Sequence, residues 1–268
     1  MTALSWDGVD LSTVGDFEVL DVIRPILPSP RDVRIDVPGR AGSWLYVEEP
    51  GDRELIVDLA YIGTDFADKR TKIQDFASWI YSADAAKLIV DDEADRYWRA
   101  RLSESPTPRE IMTLAEFSVR WIVEPFALAT VVSTQTDAQG GTPGVFGPAA
   151  FAGGGDVPTP PSIEVTAGAS GMVGGFTLNV NGTELVYGSD LSALEVITLS
   201  SVSSLVFSAI GVDVELTGAF DPDDVDMRDI SGDFGDVISG SGNSITVTPA
   251  DSSTGASVSI DYRKRYLS

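Results

Sequence analysis

Residues 116–125, EFSVRWIVEP, decide how this chain is read. Phe117, Val119, Trp121 and Val123 recur at every second position, the period of a strand that buries one face. Pro125 ends the run, because proline has no N–H to give to a ladder. Upstream, Leu55, Val57, Leu59 and Tyr61 repeat the same alternation. Between these strands the spacing changes. Residues 66–81 (FADKRTKIQDFASWIY) place Phe66, Ile73, Phe76, Ala77 and Ile80 on one stripe and polar residues on the other, and Thr64 or Asp65 supplies an N-cap. A short strand around Leu88–Val90, an acidic turn and a strand through Tyr97–Leu102 follow. Residues 1–130 therefore predict an α+β domain of antiparallel, barrel-like or sandwich-like strands with one helix near 66–81.

The remainder contains only strand and turn signals: Ile163 and Val165; Phe176, Leu178 and Val180; Leu185 and Tyr187; Ile245 and Val247; Val258, Ile260 and Tyr262. Asn181-Gly182 separates two of these runs and predicts a tight hairpin, since both residues tolerate positive φ. Antiparallel strands of this kind close as a β-sandwich over 162–268. Between the halves, residues 131–161 are rich in Gly, Pro, Ala and Thr without periodicity, the composition of a linker. Val145, Phe146 and Phe151 are unusual in a free tether and suggest an arm packed on a domain or a neighbouring copy. Charge divides the chain as well: 14 of the 18 basic residues precede residue 130, so the halves are differently built. The expected class is mainly β with one or a few helices.

The 268 residues suffice for one large or two modest domains. Cysteine and histidine are both absent, which removes disulfides, thiolate metal sites, cysteine nucleophiles and the commonest general base at neutral pH. Residues 1–10 lack the basic start and apolar run of a secretion signal, and no stretch of about 18 apolar residues occurs, so a soluble, cytoplasmically made protein is expected. A net charge of −23 opposes binding to nucleic acid or to an anionic membrane.

Few residues suggest chemistry. Asp91, Asp92, Glu93 and Asp95 contain the carboxylates that glycoside hydrolysis needs in pairs, yet such a cluster in an acidic chain reads first as a solvated turn. The run 221–229 (DPDDVDMRD) offers oxygen ligands for calcium but lacks the glycine and distal glutamate of an EF-hand loop. Glycines at 168, 171, 174, 175, 232, 235, 240 and 242 have neither a following helix nor a Lys-Ser/Thr pair, and read as β-turns rather than phosphate loops. Asn181-Gly182-Thr183 fits a glycosylation sequon, but the hairpin explains it. Trp44, Trp79, Trp98 and Trp121 lie in or beside amphipathic elements and are assigned to packing. No catalytic, cofactor or metal residue is assigned.

Residues 24–46 carry a resemblance. Arg24-Pro25-Ile26-Leu27-Pro28 is followed by Val33-Arg34-Ile35-Asp36-Val37-Pro38-Gly39-Arg40-Ala41-Gly42, an apolar strand entering a Pro-Gly-Arg-x-Gly turn ahead of Trp44. This resembles the N-terminal region of the distal tail proteins of long, flexible-tailed bacteriophages. The subsequent order is similar too: the strand at 54–62, the helix ending at Trp79-Ile80, Leu88-Ile89-Val90-Asp91-Asp92, Tyr97-Trp98-Arg99-Ala100, and Glu124-Pro125-Phe126. Gly232-Asp233-Phe234 to Val247 and the closing Val258–Leu267 look like the family's C-terminal sandwich. The order of these pieces carries the likeness, not any one motif.

That resemblance implies a structural virion protein without catalysis, located at the tail tip and assembled in the host cytoplasm. Its first domain would form a hexameric ring, and its second would be a galectin-like or carbohydrate-module-like sandwich. The implied partners are further copies of itself, the major tail (tube) protein, the tape-measure protein and a tail-tip or baseplate protein, with no sequence-specific nucleic-acid contact and no membrane. Arg24, Arg34, Pro38, Gly39, Arg40, Gly42, Trp44 and Arg53 are the candidate contacts, the arginines setting register against nearby acids. The competing reading is a carbohydrate-binding module or host-receptor adhesin that uses aromatics of the second half. A cell-wall hydrolase is a third.

Overall fold

The computed structural model describes residues 4–36, 42–139, 144–148, 150–200, 205–210, 230–232 and 242–267; for 32–36, 43–49, 200, 205–210 and 230–232 the description is of the backbone. The chain divides into two units, Met1–Thr130 with Tyr266–Ser268, and Val131–Arg265. The fold is mainly β, as the alternating runs predict. All strand pairs described here are antiparallel, and the described residues contain one α-helix.

Unit 1 is built from β1 (Leu4–Trp6), β2 (Val9–Asp10), β3 (Glu18–Ile23), β4 (Pro30–Asp36), β5 (Ser43–Pro50), β6 (Arg53–Ile62), α1 (Phe66–Ile80), β7 (Ala86–Val90), β8 (Arg96–Leu102), β9 (Arg109–Ile111), β10 (Leu114–Val123) and β11 (Ala127–Ala129). Its main sheet runs β2-β1-β7-β8-β10-β6-β3, while β4 and β5 form a separate two-stranded hairpin. The two alternating stretches read from sequence are partners along their full length, from Leu114↔Ile62 to Val123↔Arg53. Phe117 faces Leu59, Val119 faces Val57 and Trp121 faces Leu55, so one face of both strands is core. On the other face Arg120 pairs with Glu54 at 3.5 Å. Trp121 meets Trp6 with ring centroids 6.0 Å apart.

Helix α1 covers Phe66–Ile80, with Asp65 as N-cap accepting from the Asp68 N–H at 2.8 Å. Phe66 departs from the expected stripe. It is the first helical residue and stays exposed, while Lys69 is buried in the next turn, with its ammonium 5.4 Å from the Phe66 ring centroid. Lys69 Nζ donates to the Met112 carbonyl at 2.7 Å and pairs with Glu110 at 2.7 Å, which ties the helix to the β9–β10 turn. Ala77, also on the expected stripe, is exposed.

Unit 2 packs two sheets face to face. One has the order β12-β20-β13-β16-β17 and the other β18-β15-β14-β19. The strands are β12 (Ser133–Ala138), β13 (Ser162–Thr166), β14 (Phe176–Val180), β15 (Thr183–Tyr187), β16 (Glu195–Ser200), β17 (Leu205–Ile210), β18 (Ile230–Gly232), β19 (Ile245–Pro249) and β20 (Ser257–Tyr262). Ile163, Ile197 and Ile260 from the first sheet and Phe176, Leu178 and Val247 from the second share one core. Asn181 and Gly182 take φ of 51° and 91° between β14 and β15, the positive pair a two-residue hairpin needs. The Gly/Pro-rich stretch 131–161 is stitched onto this unit rather than hanging between elements. β12 pairs with β20 from Ser133↔Tyr262 to Ala138↔Ser257, Phe146 bridges Val247, and Phe151 bridges Asn243. The apolar run 192–210 contributes Ile197 and Leu199 to the core.

Candidate assembly interface

The candidate residues that the structure brings together lie where β3 leaves the main sheet of unit 1. β3 pairs with β6 alone among the described strands, so its other edge is open. A bulge between Val19 and Asp21 sets the chemistry of that edge. Val19 and Val22 are three apart and in a regular strand would face opposite sides. The extra residue, Leu20, returns both valines to the core side, where they register with Leu59 and Val57. Leu20 and Ile23 are thereby left 53% and 49% exposed. Beyond the strand, Ile26 and Leu27 are 81% and 61% exposed. Four large apolar side chains thus reach solvent within eight residues, a denser grouping than scattered surface leucines.

Two arginines hold this apolar segment in shape. Arg53, first in β6, is only 5% exposed. Its Nη1 donates to the carbonyls of Pro25 at 3.1 Å and Ile26 at 3.3 Å, and its guanidinium lies 5.1 Å from the Trp98 ring centroid. Nε and Nη2 have no hydrogen-bond partner among the described residues. Burial pulls the Arg53 pKa below its ordinary value, yet the group starts so high that it stays charged. Arg24 anchors the segment from the other side, donating to Asp92 and, at 2.9 Å, to Glu93. Ser29 closes the loop: its carbonyl accepts from Gly51 N–H at 2.7 Å at the foot of the β4–β5 hairpin.

The remaining candidates separate. Pro38, Gly39 and Arg40 lie outside the described residues. Arg34 and Trp44 are described by their backbone, Arg34 opposite Leu45 and Trp44 opposite Ile35 in the hairpin. Gly42 has φ of 82° with open space where a Cβ would stand, so conformation and not crowding favours glycine there. The acids that Arg24 meets belong to its own chain, and the Nη1 of Arg53 donates to backbone carbonyls of its own chain. The acidic cluster is used similarly: Asp92 and Glu93 serve Arg24, and Asp95 pairs with Arg96 at 3.3 Å. The acidic run 221–229 lies outside the described residues. Among the described residues no group of three or more acidic side chains is arranged to hold a metal ion.

Ile26 and Leu27 stand inside the quoted motif but not among the candidate contacts, and Leu20 and Ile23 stand in neither. The signal was present in EVLDVI at 18–23, where apolar residues recur at intervals of one and three and fit neither a helix nor a regular strand.

Comparison with known proteins agrees with this architecture. Residues 9–122 match the sequence model of the phage tail protein RIFT-related domain. The crystal structure of phage SPP1 Dit (gp 19.1), described as a paradigm of the hub adsorption apparatus of phages infecting Gram-positive hosts, superposes with a TM-score of 0.66 at 16% identity, covering 98% of this chain and 99% of that one. Two chains from the phage p2 baseplate in its activated conformation, with strontium and with calcium, match at 10% identity and TM-scores of 0.43 and 0.44, each over 97% of this chain and over 97% and 98% of theirs. Among curated proteins none matches the sequence. Residues 9–122 are thus similar to the phage tail protein RIFT-related domain, and the chain has, over nearly its whole length, the fold of SPP1 Dit.

Proposed function

We propose that this chain is a structural protein of a phage tail, a distal tail component whose first unit assembles into a ring of six. The ring would join the tail tube to the tip or host-adsorption apparatus, in contact with the major tail protein, the tape-measure protein and a tip or baseplate protein. The observation that carries this reading is the open β3 edge with Leu20, Ile23, Ile26 and Leu27 exposed beside it, inside the segment that matches a phage tail domain. A single chain gains nothing by presenting such a surface, whereas a head-to-tail ring covers it in every copy. Obligate contacts of this kind commonly bury about 2,000 Å² or more. The segment is one contribution to that area.

The carbohydrate-binding alternative depends on aromatics of unit 2. Phe146, Phe176 and Tyr262 are buried in its core, and Tyr187 stacks on Phe176 with centroids 5.5 Å apart. These rings serve packing.

Negative-stain electron microscopy of the purified chain, with light scattering for mass, tests the ring. Six-subunit rings are expected. A monomer mass at every concentration, and in the presence of tail tubes as template, overturns the proposal.

A further inference from the structure

Three asparagines occur in the 268 residues, Asn179, Asn181 and Asn243, and all three meet at the tip of the β14–β15 hairpin. Asn181 Nδ2 donates to Asn243 Oδ1 at 2.9 Å, and Asn181 Oδ1 accepts from the Ser244 N–H at 2.8 Å. Asn179 Oδ1 accepts from the Gly182 N–H at 2.9 Å, and Asn179 Nδ2 reaches Glu184 at 3.4 Å. Asn243 is fully buried, with its Nδ2 3.4 Å from the Phe151 carbonyl oxygen. Each amide thus has a main-chain partner that only donates or only accepts, which fixes its orientation.

Of the three, Asn181 alone precedes a glycine. Glycine has no side chain to screen its amide nitrogen, so in an unstructured chain that nitrogen closes readily on the asparagine before it. Gly182 N gives its proton to solvent and bonds to Asn181 Cγ; the Cγ–Nδ2 bond breaks, and Nδ2 takes up a proton and leaves as ammonia. Water then opens the resulting cyclic imide, at Cγ to give aspartate or at the main-chain carbonyl to give isoaspartate. Water is the one co-reactant.

We infer that Asn181 is a latent modification site for this deamidation, and that Asn179 and Asn243 hold it unreactive. Asn179 acts on the nucleophile: the Gly182 N–H must leave its oxygen before it can be deprotonated. Asn243 acts on the electrophile. With Nδ2 on Asn243 and Oδ1 on Ser244, the Asn181 amide is tied at both ends to residues 243 and 244, and Cγ reaches Gly182 N only after those bonds break. The Ser244 N–H alone would polarise the carbonyl and assist attack. The second bond, to Asn243, turns that contact into a restraint. Release would be costly to unit 2. Either product removes the donor that Asn243 Oδ1 accepts from and adds a negative charge. Isoaspartate also adds a carbon to the main chain within a two-residue turn, which sets the register Val180↔Thr183 and, behind it, the core pair Leu178↔Leu185.

The test is incubation of the full-length chain in mildly alkaline buffer, with peptide mapping by mass spectrometry to follow aspartate and isoaspartate at position 181. Conversion is expected at least about tenfold more slowly than in a free peptide of residues 176–187, and at least about tenfold faster in Asn179→Ala and in Asn243→Ala than in the parent chain. Asn179 is partly exposed, so Asn179→Ala should leave hydrogen exchange across β14 and β15 unchanged while the chemistry accelerates. A parent chain that converts as fast as the peptide, or variants that convert no faster than the parent, overturn the inference. So does acceleration that only tracks faster exchange of the hairpin amides, because fraying would then explain it.

Discussion

The ion pair between Arg24 and Glu93 should contribute more than a surface pair, and a double-mutant cycle can measure it. The two side chains are 25% and 24% exposed and meet at 2.9 Å, and Glu93 also lies 3.8 Å from Arg96. Fully exposed pairs are worth about 0.2–1 kcal/mol, whereas removing one partner of a fully buried pair costs about 3–5 kcal/mol. Three-quarters burial on both sides places the coupling near 1–2 kcal/mol, roughly a five- to thirtyfold change in the folding equilibrium. Arg24→Met, Glu93→Gln and the double variant would be unfolded in urea and followed by tryptophan fluorescence. That signal belongs to unit 1 alone, because all five tryptophans precede residue 130. Since Arg24 holds the foot of the exposed Ile26–Leu27 segment, ring assembly should weaken in Arg24→Met even where the chain stays folded. A coupling below about 0.5 kcal/mol, with assembly unchanged, refutes the claim that this arginine shapes the segment.

Two further outcomes follow from the geometry. Gly175 has φ of 71°, and a Cβ there would stand 1.9 Å from the Tyr187 carbonyl oxygen; Gly175→Ala should destabilise unit 2 by about 2–4 kcal/mol, seen as faster hydrogen exchange across β14 and β15. Asp68, Glu110 and Asp251 are held below the usual carboxylate range, chiefly by the Thr64 N–H, by Lys69 and by the Val173 N–H respectively. Groups whose folded pKa is depressed contribute stability that is complete above the unfolded value, near 4, and is lost as pH falls through the lower folded value. Urea midpoints should therefore fall as the pH is lowered from 5 towards 2, and less steeply in Asp251→Asn; an unchanged slope in that variant would contradict the assignment.

The parts of the fold legible in the sequence are those where one face alone is buried. β6 and β10 alternate cleanly because their partners are each other, and Asn181-Gly182 declares its hairpin through backbone conformation that few other residues adopt. The bulge in β3 was illegible because it breaks the period of two at the point where the edge matters most. Phe66 misled for a related reason: a stripe drawn at 3.6 residues per turn includes the first helical residue, but only the cap geometry shows that the helix begins there, at the edge of the core. The role of 131–161 was hidden by composition. Gly and Pro signal a break in regular structure, yet β12 is short, polar on both faces and half-buried on one, and it pairs with β20 more than a hundred residues away. Arg53 was chosen for its charge, and its burial could not be foreseen, because what covers it is backbone from residues 25 and 26.

The net charge of −23 sets the terms on which copies of this chain can meet. Every approach of two copies begins with repulsion, which salt screens over about 8–10 Å at physiological ionic strength. Contacts that win against it must be short in range and apolar, or must pair the few available bases with acids across the joint. Fourteen of the 18 basic residues lie in the first 130 positions, so the first unit holds most of what can make such pairs. The same unit exposes Leu20, Ile23, Ile26 and Leu27. Residues 1–130 hold 14 basic residues against 24 acidic ones, whereas residues 131–268 hold four against 17. On the proposed reading, copies associate through the first unit, whose basic residues can pair with acids across the joint, while the acidic second units repel one another.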